Sequence, residues 1–205
     1  MGITERRTRQ KQEVRANILK AAWDIVSKEG WQTLSIRKIA DAIEYSVPVV
    51  YDHFENKEGI LAEFTKTGYK LLSDDLLGAK EKHKKPAKQL EAITFAYWEF
   101  ALNNKCYYQL MFGLGMPGCE SIKSIPELMA FTEVIKSTIE ESAGELGNKK
   151  INPILKLHVF WSTIHGLVSI NSMAPVSSRM GVSQEQLNKM VLNDFIKSFV
   201  RGLGE

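Results

Sequence analysis

Apolar residues return at three- and four-residue steps along almost the whole chain, and no convincing run of strand-like alternation interrupts them. Val14, Ile18, Ala21, Ala22 and Ile25 form the first stripe, the pattern of a helix with one buried face. Lys28, Glu29 and Gly30 close it, because glycine takes the left-handed backbone that ends a helix cheaply. Ser35 stands next as a cap whose hydroxyl can accept from an orphan N–H. Ile36, Ile39, Ala40 and Ile43 follow as a second, shorter stripe. Ser46 caps a third helix, with Pro48 in its first turn, where a missing N–H costs nothing. Val50 and Phe54, four apart, face inward, and Asn56 caps a fourth helix that begins at Lys57.

The helical period persists beyond this point. Ile60, Phe64, Leu71, Leu72 and Leu76 line a long helix that should run to about Lys84, where Pro86 prevents its continuation. Leu90, Ile93, Tyr97, Phe100 and Ala101 mark another. The aromatic segment Tyr107–Phe112 leads into a loop rich in glycine through Gly113, Gly115, Pro117 and Gly118. Ser124 with Glu127 makes a capping box for a helix carrying Leu128, Phe131, Ile135 and Ile139, which Gly144 and Gly147 break. Ile154, Leu157, Trp161, Ile164 and Val168 stripe the next. Ser183 with Gln186 caps the last, which is apolar on two faces from Leu187 to Leu203. Such a helix needs two partners. One is its own domain. The other is best a second copy, which predicts a two-fold dimer through Val168, Leu187, Val191, Phe195 and Phe199.

The expected fold is therefore all-α. A three-helix helix-turn-helix domain spans residues 1–57, and a helical effector-binding and dimerisation domain spans 58–205. With Val50 and Phe54 inside, the outward side of the third helix falls to Tyr45, Val47, Pro48, Val49, Asp52 and His53. A short rod with that small, mixed surface fits a major groove. Val47 or Val49 can meet a thymine methyl, and Tyr45 or His53 a base edge or a phosphate. Lys57 beside free helix-terminal N–H groups makes a phosphate clamp. Upstream, Arg6, Arg7, Arg9, Lys11 and Arg15 outnumber Glu5 and Glu13, which makes a basic arm, expected to be mobile when free, either a tether to the DNA backbone or minor groove or a solvated, frayed terminus.

Three runs carry a family resemblance: Leu34-Ser35-Ile36-Arg37-Lys38-Ile39-Ala40, then Tyr45 through Phe54, then Lys57-Glu58-Gly59-Ile60-Leu61. The chain resembles the tetracycline-repressor (TetR) family of transcriptional regulators. The resemblance implies phosphate contacts from Ser35, Arg37, Ser46, Tyr51, His53 and Lys57, with Val47, Pro48 and Val49 nearest the bases. It also agrees with dimerisation through the last two helices. Trp161 to Gly166 is similar to the Trp-x-x-x-His-Gly signature of one subgroup of its ligand domains. One departure stands out. Glu44 occupies the turn position where most members carry glycine, and a glutamate enters left-handed backbone less freely.

Composition narrows the remainder. A hydrophobic fraction of 44% and a charged fraction of 25% describe an ordinary globular protein. A net charge of +3 does not argue for nucleic acid by itself. Cys106 and Cys119 lack metal or redox spacing, and no signal core precedes them, so a cytoplasmic location is expected. No apolar run approaches membrane-spanning length. The second domain holds many large apolar side chains, which predict a pocket between helices lined by Trp98, Tyr108, Phe112, Phe131, Trp161 and His165. His158 and His165 share a helix face with no acidic or thiol partner at ligand spacing, so neither metal nor cofactor is expected. The functional expectation is a regulator that binds a double-stranded operator and is released by a small, mostly apolar effector. An all-α enzyme or a protein-interaction module carrying a helix-turn-helix is the alternative.

Overall fold

A computed structural model describes residues 2–113, 126–173 and 181–205. The Gly115–Gly118 stretch, Met116, Cys119 and the Ser124 cap lie outside the described residues. Every regular element among those described is helical: α1 (Ile3–Glu29), α2 (Ile36–Ala42), α3 (Val47–Tyr51), α4 (Lys57–Glu81), α5 (Pro86–Asn103), α6 (Lys105–Phe112), α7 (Pro126–Glu145), α8 (Pro153–Met173) and α9 (Gln184–Arg201), with a 3-10 turn at Trp31–Thr33. The fold is all-α, as the periodicity predicts.

Several boundaries differ from the sequence expectation. The basic arm is not separate from the first helix, because α1 already begins at Ile3, with the Glu5 carboxylate accepting from the Gly2 N–H. Charged residues without an apolar stripe still extend a helix whose later turns are anchored. The fourth helix stops at Glu81 rather than near Lys84, and Pro86 opens α5 as its first residue. Gly144 lies within α7, and Gly147, at φ +81°, is the glycine that ends it.

The chain divides into two compact units. The first takes in the described residues of Met1–Thr67 and Cys106–Lys123. Its core joins Ile18, Ala22 and Val26 of α1 to Trp31, Leu34, Ile39, Ala40, Val50, Phe54, Ile60, Leu61 and Phe64, and also to Leu110 of α6. Two contacts weld α6 into this unit. Tyr107 stacks on Trp23 with ring centroids 4.2 Å apart, and the Trp31 indole N–H donates to the Cys106 carbonyl at 2.7 Å. That bond matters because an unpaired buried N–H costs about 1–3 kcal/mol.

The second unit takes in the described residues of Gly68–Lys105 and Ser124–Glu205, so the division falls inside α4. Here α5 packs on α7, α8 and α9, α7 on α8, and α8 on α9. Leu72, Leu76, Leu90, Ile93, Tyr97, Phe131, Ile135, Ile139, Phe160 and Ile164 are fully buried. The far end of α9 is pinned by polar contacts: Lys156 Nζ donates to the Gly202 carbonyl at 2.8 Å, and the Asn148 amide to that of Leu203 at 3.0 Å. A cation at helix-terminal carbonyls also complements the helix dipole.

Candidate nucleic-acid interface

The interface is assembled from α2, the turn after it, and α3. Ser35 caps α2 by accepting from the Lys38 N–H at 3.2 Å, and Ile39 and Ala40 bury its inner face. The turn is a Schellman closure. The Glu44 N–H reaches the Asp41 carbonyl at 3.3 Å, and the Tyr45 N–H reaches that of Ala40 at 3.0 Å. Glu44 takes φ +58°, inside the left-handed region. The glutamate therefore adopts the glycine-type conformation rather than reshaping the turn, at a cost of about 1–2 kcal/mol.

Ser46 stands at the cap position of α3, but its hydroxyl makes no capping bond; its carbonyl accepts from the Val49 N–H at 3.0 Å. The sequence expectation of a side-chain cap there is corrected: Pro48 at the helix start already fixes the backbone and removes one donor that a cap would serve. Val50 is fully buried and Phe54 is 5% exposed, as their spacing predicts. This leaves Tyr45 46% and Tyr51 51% exposed, with Ser46, Pro48 and Arg37 also exposed. Ser35, Val47, Val49, His53 and Lys57 are half-buried. All ten predicted contact residues thus retain some accessible surface on one small module. Asn56 caps α4 by accepting from the Gly59 N–H at 2.9 Å. Arg37 and Lys57 form no ion pair among the described residues, whereas Lys38 is engaged by Glu29 at 2.7 Å, a contact that holds the Glu29 carboxyl below its usual range.

His53 is set apart from the other contacts. Burial, then the nearby Lys11, pushes its imidazole below the ordinary value, and its Nδ1 is buried without a hydrogen-bond partner. Both burial and the neighbouring cation favour the uncharged form of the ring. Sequence reasoning missed Arg15. Counted there as part of the arm, it turns inward: its guanidinium covers the Phe54 ring at 4.1 Å and pairs with Glu63 at 3.2 Å.

In the second unit, Phe131 and Trp161 meet edge to face at 5.8 Å, and the Trp161 N–H donates to the Tyr97 hydroxyl at 3.0 Å. Trp98 is buried on α5. His165, one turn beyond Trp161, is half-buried, and burial lowers its pKa. Burial likewise pushes the Tyr69 hydroxyl up to about 12, and its ring lies 6.1 Å from that of Phe131. Tyr108 and Phe112 lie against each other at 4.6 Å on α6, in the first unit. A groove of about 460 Å³ is lined by Leu77, Lys80, Gln89, Ala130, Val134 and Ser137, none of which is among the six predicted ligand residues. Of the predicted dimer residues, Val191 is 37% exposed, Leu187 and Phe195 are half-buried, and Val168 and Phe199 are buried within the chain at 5% and 7% exposed. Among the described residues no three metal-ligating side chains gather, and no helix is long and apolar enough to cross a membrane.

The sequence pattern of bacterial regulatory proteins of the tetR family matches residues 18–64, and that of the tetracyclin repressor-like C-terminal domain matches residues 90–195, more than half of the chain. The chain belongs to the tetracycline-repressor family. As in other members of that family of bacterial regulatory proteins, a helix-turn-helix unit is followed along the chain by a larger helical bundle. A relative within the HTH-type regulators is YobS of Bacillus subtilis (strain 168), itself uncharacterized. It is 27% identical over 92 residues, which make up 45% of this chain and 48% of YobS. The chain thus spans about half the length of the curated relative it matches. Among solved structures, a protein of unknown function from Rhodococcus sp. RHA1 superposes with a TM-score of 0.76 at 22% identity, covering 93% of this chain and 95% of its own. FadR from Bacillus subtilis, solved in complex with stearoyl-CoA, gives 0.67 at 16% identity, covering 88% and 97%. At such identities the likeness concerns the fold of this tetracycline-repressor family member.

Proposed function

We propose that this regulator is a repressor: a cytoplasmic homodimer that binds a near-palindromic operator and leaves it when a small, mostly apolar effector enters the second domain. The observation that carries the reading is the division of faces along α3 and the residues that flank it. Val50 and Phe54 are buried while Tyr45, Pro48 and Tyr51 are exposed beside an accessible Lys57. In this reading Val47, Pro48 and Val49 approach the bases, and Ser35, Arg37, Tyr45, Ser46, Tyr51, His53 and Lys57 hold the backbone. The functional division runs at residue 57, with effector binding and dimerisation in 58–205.

Support for the dimer comes from α8 and α9. Ile154, Leu155, Val159, Ile170, Met190 and Val191 are all exposed in the single chain, an apolar surface that a second copy can cover. A Cβ added at Gly166 would meet nothing within 4 Å, so that stretch of backbone is open to a partner helix. The interface therefore centres on Val191, Leu187 and Phe195 with the exposed α8 residues, and Val168 and Phe199 support it from within. Trp98, Phe131, Trp161 and His165 are the effector contacts we assign in the second unit. The run Trp161 to Gly166 has the Trp-x-x-x-His-Gly spacing, and on it we base a proposed kinship with that subgroup of ligand domains. The long-chain acyl thioester bound by FadR is a reason to test apolar carboxylic derivatives first.

By linkage, the effector must bind the DNA-incompetent form more tightly, and operator must weaken effector binding by the same factor. The test is selection of bound duplexes from a random pool, followed by salt titration of the winners and release by small molecules. A repressor yields one symmetric sequence whose affinity falls steeply with salt. Recovery of no preferred sequence would sink the proposal.

A further inference from the structure

Arg15 is placed where three parts of the first unit meet. It projects from α1, covers one face of Phe54 at 4.1 Å, pairs with Glu63 of α4 at 3.2 Å, and directs Nη1 toward the carbonyl of His53 at 3.4 Å. Phe54 and His53 are the residues by which the chain leaves α3. The last of these contacts is long for a hydrogen bond, so the ring and carboxylate contacts dominate. Glu63 also holds Lys66 at 3.3 Å, which keeps the carboxylate anchored on α4. Arg15 suits this role chemically, because a flat, weakly hydrated guanidinium can lie on a ring and fork to a carboxylate at once, whereas an ammonium cannot.

We infer that Arg15 is a positioning residue for DNA reading: its guanidinium, clamped between Phe54 and Glu63, sets the aim of α3 without touching DNA. The inference rests on the DNA-reading proposal above and adds to it a residue outside the contact surface. It separates Arg15 from the neighbouring arginines of α1. A charge already neutralised by Glu63 adds little to the field that attracts the duplex, while a recognition helix tilted by a small angle loses base contacts first and backbone contacts last.

The test titrates wild type, Arg15→Met and Glu63→Gln with the selected operator and with a random duplex over a range of salt, with thermal midpoints recorded for each protein. Arg15→Met should weaken operator binding by about ten-fold while random-duplex affinity stays within about two-fold and the salt slope holds. Equal losses on both duplexes, with the slope smaller by about one, would make Arg15 a phosphate ligand and overturn the inference; so would an unchanged operator affinity. Glu63→Gln carries the test if Arg15→Met does not fold. Removing a carboxylate should tighten binding to both duplexes if charge alone matters, but should weaken operator binding if the clamp sets the helix. A wild type with no preference for any duplex sinks the DNA-reading proposal itself, a failure distinct from these.

Discussion

Individual side chains decide how well the reading unit is held. Glu44 sits at φ +58° where glycine pays nothing, so Glu44→Gly should raise stability by about 1 kcal/mol, read as a higher thermal midpoint at unchanged DNA affinity. The comparison within the molecule is direct: α7 closes with the same pair of backbone bonds, to Gly144 and Ala143, and has Gly147 at the left-handed position. At the contact surface, Lys57→Ala should weaken binding to every duplex alike and reduce the salt slope by about one, because a phosphate contact carries no base code. An effect confined to one operator would remove Lys57 from that role. Histidine brings a pH dependence. Burial lowers the pKa of His165 from 6.5, so the unfolded chain takes up its proton first. The stability its neutral ring contributes is whole above the unfolded value and is lost as pH falls through the folded one. Denaturant midpoints at about pH 7.5 and about pH 5.5 should therefore differ less for His165→Gln than for wild type.

Helices differ in how openly the sequence announces them. Ser35, Val50, Phe54 and Asn56 were legible because a cap or an i, i+4 pair is a local fact, decided within one or two turns. The place of α6 was not. Nothing in Tyr107–Phe112 distinguishes aromatic residues that pack on α1 from those that line a pocket, and its partner Trp31 lies 75 positions away. The same holds for Arg15, whose partners Phe54 and Glu63 belong to later helices, and for the first turns of α1, where no apolar period exists to be read. The contact of α6 has a measurable worth: Tyr107→Ala should destabilise the first unit by about 2 kcal/mol, from lost stacking on Trp23 and lost area. On α8 the sequence stripe was partly misplaced. Ile154 is 60% exposed and belongs with Leu155 and Val159 on the outer side, whereas Leu157, Phe160 and Ile164 face the core. A charge at Val159 or Val191 should convert dimers to monomers in sedimentation without loss of helicity, and an unchanged mass would exclude this face as the interface.

At the scale of the whole chain, the two units are built by different means. The first relies on one mixed core in which the rings of Trp31 and Phe64 meet those of Trp23 and Tyr107 packed against it. The second relies on three helices, α7, α8 and α9, packed on α5 and on an amide cluster, Asn171, Gln184 and Asn188, whose side chains bond one another at 2.9–3.1 Å between α8 and α9. The distribution of indoles follows the same division. Trp23 and Trp31 lie in the first unit, Trp98 and Trp161 in the second, and the chain has four in all. Each half consequently carries its own pair of native fluorophores. Phenylalanine at either pair leaves a protein whose emission reports on a single half, so operator and effector can be titrated against the light of the part to which each is assigned, without an attached dye.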